Sequence, residues 1–202
     1  MTADYHRVAE ESKKMARLLA DAEMAVLTTP LGTELTMDLG GRSGDVDDGL
    51  ITSGFLGNLP AGEAYTSPVE GSAEGKVVVT PRGFFRLKEE MVIHFEQGAV
   101  RDIEGGGAVG EEFRALLELP TPGRQTGRRN LAELAIGTNP KAQSVETTLE
   151  AEKIKGTVHI AIGDSSNIGG QVKADLHQDF VLWEPSLSLD GQLVIRGGEW
   201  LV

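Results

Sequence analysis

The stretch "KADLHQDFVLW", residues 173–183, sets a histidine between two aspartates in a strand-like run. Residues i, i+2 and i+4 of a β-strand leave on the same side, so Asp175, His177 and Asp179 project together. Such a trio can ligate a metal, exchange protons or simply face water. The other histidines are His6, His94 and His159. His6 falls on a polar N-terminal helix, and His94, in "MVIHFEQ", on a strand that can face water; neither draws a role. His159 stands among apolar residues in "TVHIAIG", just before the polar loop "DSSNIGGQVKAD", and His177 follows that loop. Pairing of the two flanking strands would bring both rings together.

Two carboxylates occupy equally odd surroundings, Glu63 in "NLPAGEAYTSP" and Glu133 in "NLAELAIGTNP". A glutamate is almost never fully buried unless it is paired or holds a metal. The chain has no cysteine, so any metal must be held by His, Asp and Glu. Glu63, Glu133, His159, His177 and Asp179 are a suitable donor set for a hard or borderline divalent ion. Three carboxylates and two neutral imidazoles carry three negative charges. One divalent ion leaves one of them uncancelled; two ions leave a positive charge that a bridging hydroxide cancels. That count favours two ions, of the kind that carboxylates bridge in two-metal hydrolases.

Positioning five such groups takes many strands. Twenty-six glycines in 202 residues, against a usual ~7%, sit in short turns and speak against a helical bundle. Residues 4–24 read as an amphipathic helix with Val8, Met15, Leu18, Leu19 and Ala22 on one side. "AVLTTPLGTELTMDLGGR" alternates about Pro30 and Gly32 as a hairpin, and residues 43–57 read as a loop. Short strands follow through residue 106. "GEEFRALLEL" is a short helix with Phe113, Leu116 and Leu117 inward, and a mobile loop is expected at 120–129. Thr147 to Lys155 reads as a further helix, and "LSLDGQLVIRGGEWLV" closes the chain with a hairpin on its Asp-Gly turn. The expected fold is α+β: one domain over 1–202, its mostly antiparallel strands forming a barrel-like body with a few peripheral helices.

The totals exclude several functions. A net charge of −12 opposes a nucleic-acid partner, and the basic "GRQTGRR" reads as a surface loop. No apolar run approaches the length of a membrane span, the first residues lack a secretory pattern, and the lack of cysteine fits a cytoplasmic protein. "GDSSNIGGQ" lacks the Gly-Lys-Ser/Thr ending of a phosphate loop, and no serine has a free His–Asp pair to activate it. Asp175 is read as orienting His177 or as solvated, and Glu152 with Lys153 as a surface ion pair.

The segments "GNLPAGEAYTSPVEGSAEGKVVV", "NLAELAIGTNPKA", "EKIKGTVHIAIG" and "LHQDFVLWEP" resemble, in that order, the aminopeptidase T family of thermophilic metalloaminopeptidases. The opening "TTPLGTELTMDLGGR" and the ending "DGQLVIRGGEWLV" resemble that family too, so the likeness covers nearly the whole chain. It implies that Glu63, Glu133, His159, His177 and Asp179 hold two divalent ions (cobalt, zinc, magnesium or manganese), with Glu63 and Asp179 as bridges. The implied activity is removal of the N-terminal residue of a peptide by a metal-bound hydroxide, with a carboxylate such as Glu63 relaying the proton, in a homodimer. Family members are longer, with an N-terminal α/β domain ahead of the matched region, so the likeness is to the catalytic domain. They also place a tyrosine seven residues after the position of His159, where this chain has Ser166; Tyr65, on the same strand face as Glu63, is the candidate substitute.

Two other classes compete with this expectation. His159, His177 and Asp179 alone make a two-histidine, one-carboxylate set suited to a single iron(II) and dioxygen. A ring-cleaving dihydroxypyridine dioxygenase is similar in fold and uses such a set. Glu63 and Glu133 discriminate, since a two-ion hydrolase needs them and a dioxygenase does not. The third class is a non-catalytic, metal-binding descendant.

Overall fold

The computed structural model describes residues 3–51, 57–119 and 127–202. Helix α1 (Tyr5–Asp21) starts at Asp4, whose carboxylate accepts hydrogen bonds from the His6 and Arg7 amides and so satisfies donors that the first helical turn leaves open. Its Val8, Met15 and Leu19 are buried, as their helical spacing predicts.

The strands fall into two sheets. The larger contains β1 (Met24–Thr28), β2 (Glu34–Asp38), β5 (Glu74–Val79), β6 (Met91–Glu96), β7 (Ala99–Gly105), β11 (Ser186–Leu189), β12 (Gln192–Arg196) and β13 (Glu199–Trp200), in the order β13-β12-β11-β1-β2-β5-β6-β7. The smaller contains β3 (Asp45–Asp47), β4 (Glu63–Thr66), β8 (Leu131–Gly137), β9 (Val158–Gly163) and β10 (His177–Leu182), in the order β10-β9-β8-β4-β3. Neighbours in both sheets run antiparallel. Helix α2 (Gly107–Glu118) follows β7, and a single helical turn, α3 (Thr148–Ala151), precedes β9.

One hydrophobic core joins the sheets. Leu27, Leu35, Val77, Ile93 and Leu187 of the larger meet Leu134, Ile136, Val158, Ile160 and Phe180 of the smaller. The Phe180 ring stands edge-on to Phe84 and to Phe113 of α2, the offset geometry that aromatic quadrupoles favour.

The α+β class and the antiparallel arrangement agree with the sequence pattern, while three details differ. Neither sheet closes on itself, so the body is two open sheets about one core rather than a barrel. The expected loop at 43–57 contains β3, and its residues 52–56 lie outside the described ones. The helix expected from Thr147 to Lys155 stops after one turn, because Asn139 exchanges backbone bonds with Lys153 and Lys155 and draws the chain into an extended crossing. Of the loop expected at 120–129, residues 120–126 are outside the described ones. Arg128 and Arg129 are anchored, to the carbonyls of Leu116 and Val100 respectively.

Candidate metal centre

Alternation along the smaller sheet separates core from site. On β8, Leu134 and Ile136 enter the core, which sends Glu133 to the opposite face. The same alternation puts His159 of β9, His177 and Asp179 of β10, Glu63 and Tyr65 of β4 and Asp47 of β3 on that face. Register then brings them into line: His159 pairs with Ala135 and Val181, Asp179 with Ala161, and Glu63 with both Asp47 and Gly137. A bulge between Leu131 and Glu133 keeps Glu133 on the site side, a common use of bulges beside active sites. All five predicted donors thus meet at one place, lining a cavity of about 630 Å³ together with Tyr65, Asp47, Glu152 and Lys153.

His177 is held in one orientation. Its Nδ1 lies 2.7 Å from the backbone carbonyl oxygen of Asp164. A carbonyl can only accept, so Nδ1 carries the proton and Nε2 is directed at Glu133 Oε2, 3.0 Å away, and Asp179 Oδ1, 3.4 Å away. Metal-binding histidines are oriented in this way, by a hydrogen bond from the nitrogen that does not ligate. Burial alone would lower the pKa of His177, but its contacts with Asp179 and Glu133 outweigh that and push it up to about 11. Burial would likewise raise Asp179, yet the His177 hydrogen bond and the neighbouring positive charges hold it below the usual carboxylate range.

His159 is buried, with Nε2 3.4 Å from Glu63 Oε2 and 3.9 Å from Glu133 Oε1. Burial keeps its pKa below the ordinary value, so it is neutral at neutral pH. Glu63 Oε2 is itself buried without a hydrogen-bond partner. A carboxylate oxygen in that state is costly unless a cation completes it.

Among the described residues three donor groups come within 4.8 Å: Glu63–Glu133–His159, Glu133–His177–Asp179 and Glu152–His159–Asp179. No group contains both histidines; Glu133 and Asp179 link one half of the centre to the other. The chemistry of these donors, oxygen and imidazole nitrogen with an oriented ring, fits a divalent ion.

Sequence reasoning missed the lysine. Lys153 was expected on the surface, yet its side chain is 1% exposed and its ammonium lies 2.6 Å from Glu63 Oε1 and 2.8 Å from Glu152 Oε1. Burial works against the charge, but Glu63 and Glu152 outweigh it and raise the lysine pKa above its ordinary value. Glu152, buried beside it, is pushed up to about 8 by that burial. The local cause is Gly137: a Cβ there would stand 2.2 Å from the carbonyl oxygen of Ile154 and 2.7 Å from that of Glu152. Only glycine lets the crossing segment lie directly on β8, opposite Glu63. The signal available in the sequence was a lysine and a glutamate in "EKIKG" immediately before an apolar strand.

Asp175 does not orient His177. It lies before β10 and forms a two-pronged ion pair with Arg128, both contacts at 2.7 Å, while the Asp164 carbonyl performs the orienting. Ser166, in place of the expected tyrosine, donates to Asp164 Oδ1 and caps its own loop. Tyr65 is half-buried on the cavity wall, and burial first, then the surrounding carboxylates, push its phenol up to about 12. His94 faces Glu104 at 3.2 Å on the larger sheet, away from the centre, and no described helix is long and apolar enough to cross a membrane.

A sequence model of the family described as NicX: 2,5-dihydroxypyridine 5,6-dioxygenase matches residues 2–202. No curated protein matches by sequence. A 2,5-dihydroxypyridine dioxygenase from Pseudomonas putida KT2440 is similar in structure, with TM-score 0.80 and 21% identity over 100% of this chain and 60% of that one. Wild-type AmpT from Thermus thermophilus is also similar, with TM-score 0.75 and 22% identity over 99% of this chain and 56% of that one. At such identities the two structures show the fold alone, and the chain spans less than two thirds of either. The family match nevertheless overturns the expected hydrolase: it points to a dioxygenase, an oxidoreductase. Of the two carboxylates that argued for a second ion, Glu63 is ion-paired with a lysine that sequence reasoning had left on the surface, while Glu133 contacts His177.

Proposed function

The chain belongs to the NicX 2,5-dihydroxypyridine 5,6-dioxygenase family, and on that premise we propose that it opens a hydroxylated pyridine ring with dioxygen at a single iron(II). One observation carries the placement. Of the three donor groups, Glu133–His177–Asp179 alone contains His177, 35% exposed, beside Asp179 at 24%; the members special to the other two, Glu63, His159 and Glu152, are 8%, 2% and 9% exposed. A metal that must meet both a ring and dioxygen needs that open side.

Iron(II), when bound, would bring ring and dioxygen together and relay electrons from the ring, the reductant, to ground-state dioxygen. The chain supplies the rest. Asp164 fixes the His177 ring by its carbonyl, and Asp179, held ionised, offers a permanent negative charge. Glu133 would close the set in place of His159, because the expected His159–His177–Asp179 trio does not form one donor group among the described residues; the neutral His159 is the buried neighbour of Glu133. Tyr65 keeps its proton at neutral pH, so its phenol can donate a hydrogen bond to a ring oxygen in the cavity. A cavity of about 630 Å³ falls within the range of small-molecule sites and accommodates a single six-membered ring. Overall, both atoms of dioxygen enter the product as the C5–C6 bond opens.

The test is oxygen uptake by the iron(II)-loaded chain on adding 2,5-dihydroxypyridine. The expected result is one dioxygen consumed per ring lost, with monohydroxypyridines inert. Ring loss without oxygen uptake would contradict the proposal.

A further inference from the structure

We propose that Lys153 occupies the place of a second cation and thereby limits this centre to one divalent ion. The proposal rests on the single-ion reading above for the identity of the first site, and on separate geometry for the second. The donors Glu63, Glu133 and His159 lie within 4.8 Å of one another, enough in type and number to hold an ion of their own. Instead the Lys153 ammonium lies 2.6 Å from Glu63 Oε1, with Glu152 at 2.8 Å and Asp47 at 3.8 Å. An ammonium at hydrogen-bond distance from one oxygen of Glu63 repels any divalent ion drawn to the other.

The lysine is built in. Gly137, with no side chain to hold the crossing segment away, brings Lys153 over β8, and the backbone bond from Asn139 to the Lys153 carbonyl, 2.8 Å long, fixes the residue there. The lysine also supplies positive charge where acidic groups crowd: Asp47, Glu63 and Glu152 all lie within 4 Å of its ammonium. Without Lys153, Asp47, Glu63 and Glu152 would face a common space beside the neutral His159, and a second divalent ion is the natural way to compensate them.

Equilibrium dialysis against manganese(II), with native mass spectrometry to count bound ions, tests this on the unaltered chain and on Lys153→Met. The variant is expected to bind one ion more than its parent, the pair revealed by spin coupling in electron paramagnetic resonance. Lys153→Arg, which keeps the charge, is expected to match the parent, and Glu63→Gln added to Lys153→Met to remove the extra ion. Lys153→Gln serves as a second, polar variant, and a variant that folds only when manganese(II) is supplied supports the proposal equally. A folded Lys153→Met or Lys153→Gln chain with no extra ion overturns it, as does an extra ion in Lys153→Arg. The parent's own count judges the single-ion reading separately: one ion supports that reading, whereas none or two contradict it.

Discussion

Glu63 Oε1 and the Lys153 ammonium stand 2.6 Å apart in a wholly buried contact, and this pair changes the meaning of every other donor around it. A glutamate that the resemblance would make a bridge between two metals is paired with a lysine, and on the proposed reading the open donors His177, Asp179 and Glu133 hold one ion.

Loss of the open donors should remove the ion. His177→Ala and Asp179→Ala are expected to reduce bound iron to background when measured by elemental analysis, with the fold retained by circular dichroism. Asp175→Ala should leave the ion in place, because Asp175 pairs with Arg128 and the Asp164 backbone carbonyl orients His177. Its effect on metal affinity should fall well below the ~10–100-fold typical of losing a group that orients a ligand. A comparable loss would reinstate Asp175 as that group.

Much of this centre is legible in the sequence, and the part that is not has a physical cause. The five predicted donors converge because each stands at an alternate position in a strand whose other face is apolar, a pattern that period-two reading detects. The hairpins and the α+β class follow from the same alternation and from Gly-rich turns. Lys153 escaped because its burial depends on Gly137, which is sixteen positions away in sequence and adjacent only after β8 and the crossing segment pack. Asp164 escaped because a backbone carbonyl leaves no trace in residue type. Closure of a sheet into a barrel depends on strand tilt and pairing at the edges, which composition does not encode.

Gly137→Ala should therefore act at two levels. The new methyl meets backbone oxygens that cannot rotate away, and overpacking of this kind costs on the order of 1–3 kcal/mol. Urea denaturation should show that loss. Displacement of the crossing segment should also loosen Lys153, so the variant is expected to take up more manganese(II) than its parent.

Tyr65→Phe should leave the number of bound ions unchanged while lowering turnover by about 10²-fold, the scale of removing one well-placed hydrogen-bond donor. The phenol, with its pKa near 12, is protonated throughout the neutral range, so this loss should not vary with pH there. An unchanged rate would take Tyr65 out of the reaction.

For the chelator-stripped chain, the signs of the raised pKa values set the pH dependence of stability. His177, raised from 6.5 to about 11, and Glu152, raised from 4.5 to about 8, both hold a proton more tightly in the folded state. Their stabilising contributions are complete below the unfolded values and fade as the pH climbs through the folded ones. The melting temperature should accordingly fall between about pH 7 and pH 9. Added iron(II) or manganese(II) should displace the His177 proton, so binding should release protons and strengthen with rising pH; calorimetry in buffers of different ionisation enthalpy measures that release.

The most direct measurement is isotopic. The iron(II)-loaded chain is given 2,5-dihydroxypyridine under ¹⁸O-labelled dioxygen in unlabelled water, and the product is weighed by mass spectrometry. A dioxygenase at the Glu133–His177–Asp179 centre predicts both labelled atoms in the ring-opened product, and no product when His177 is replaced by alanine. A product whose new oxygen comes only from water would contradict it.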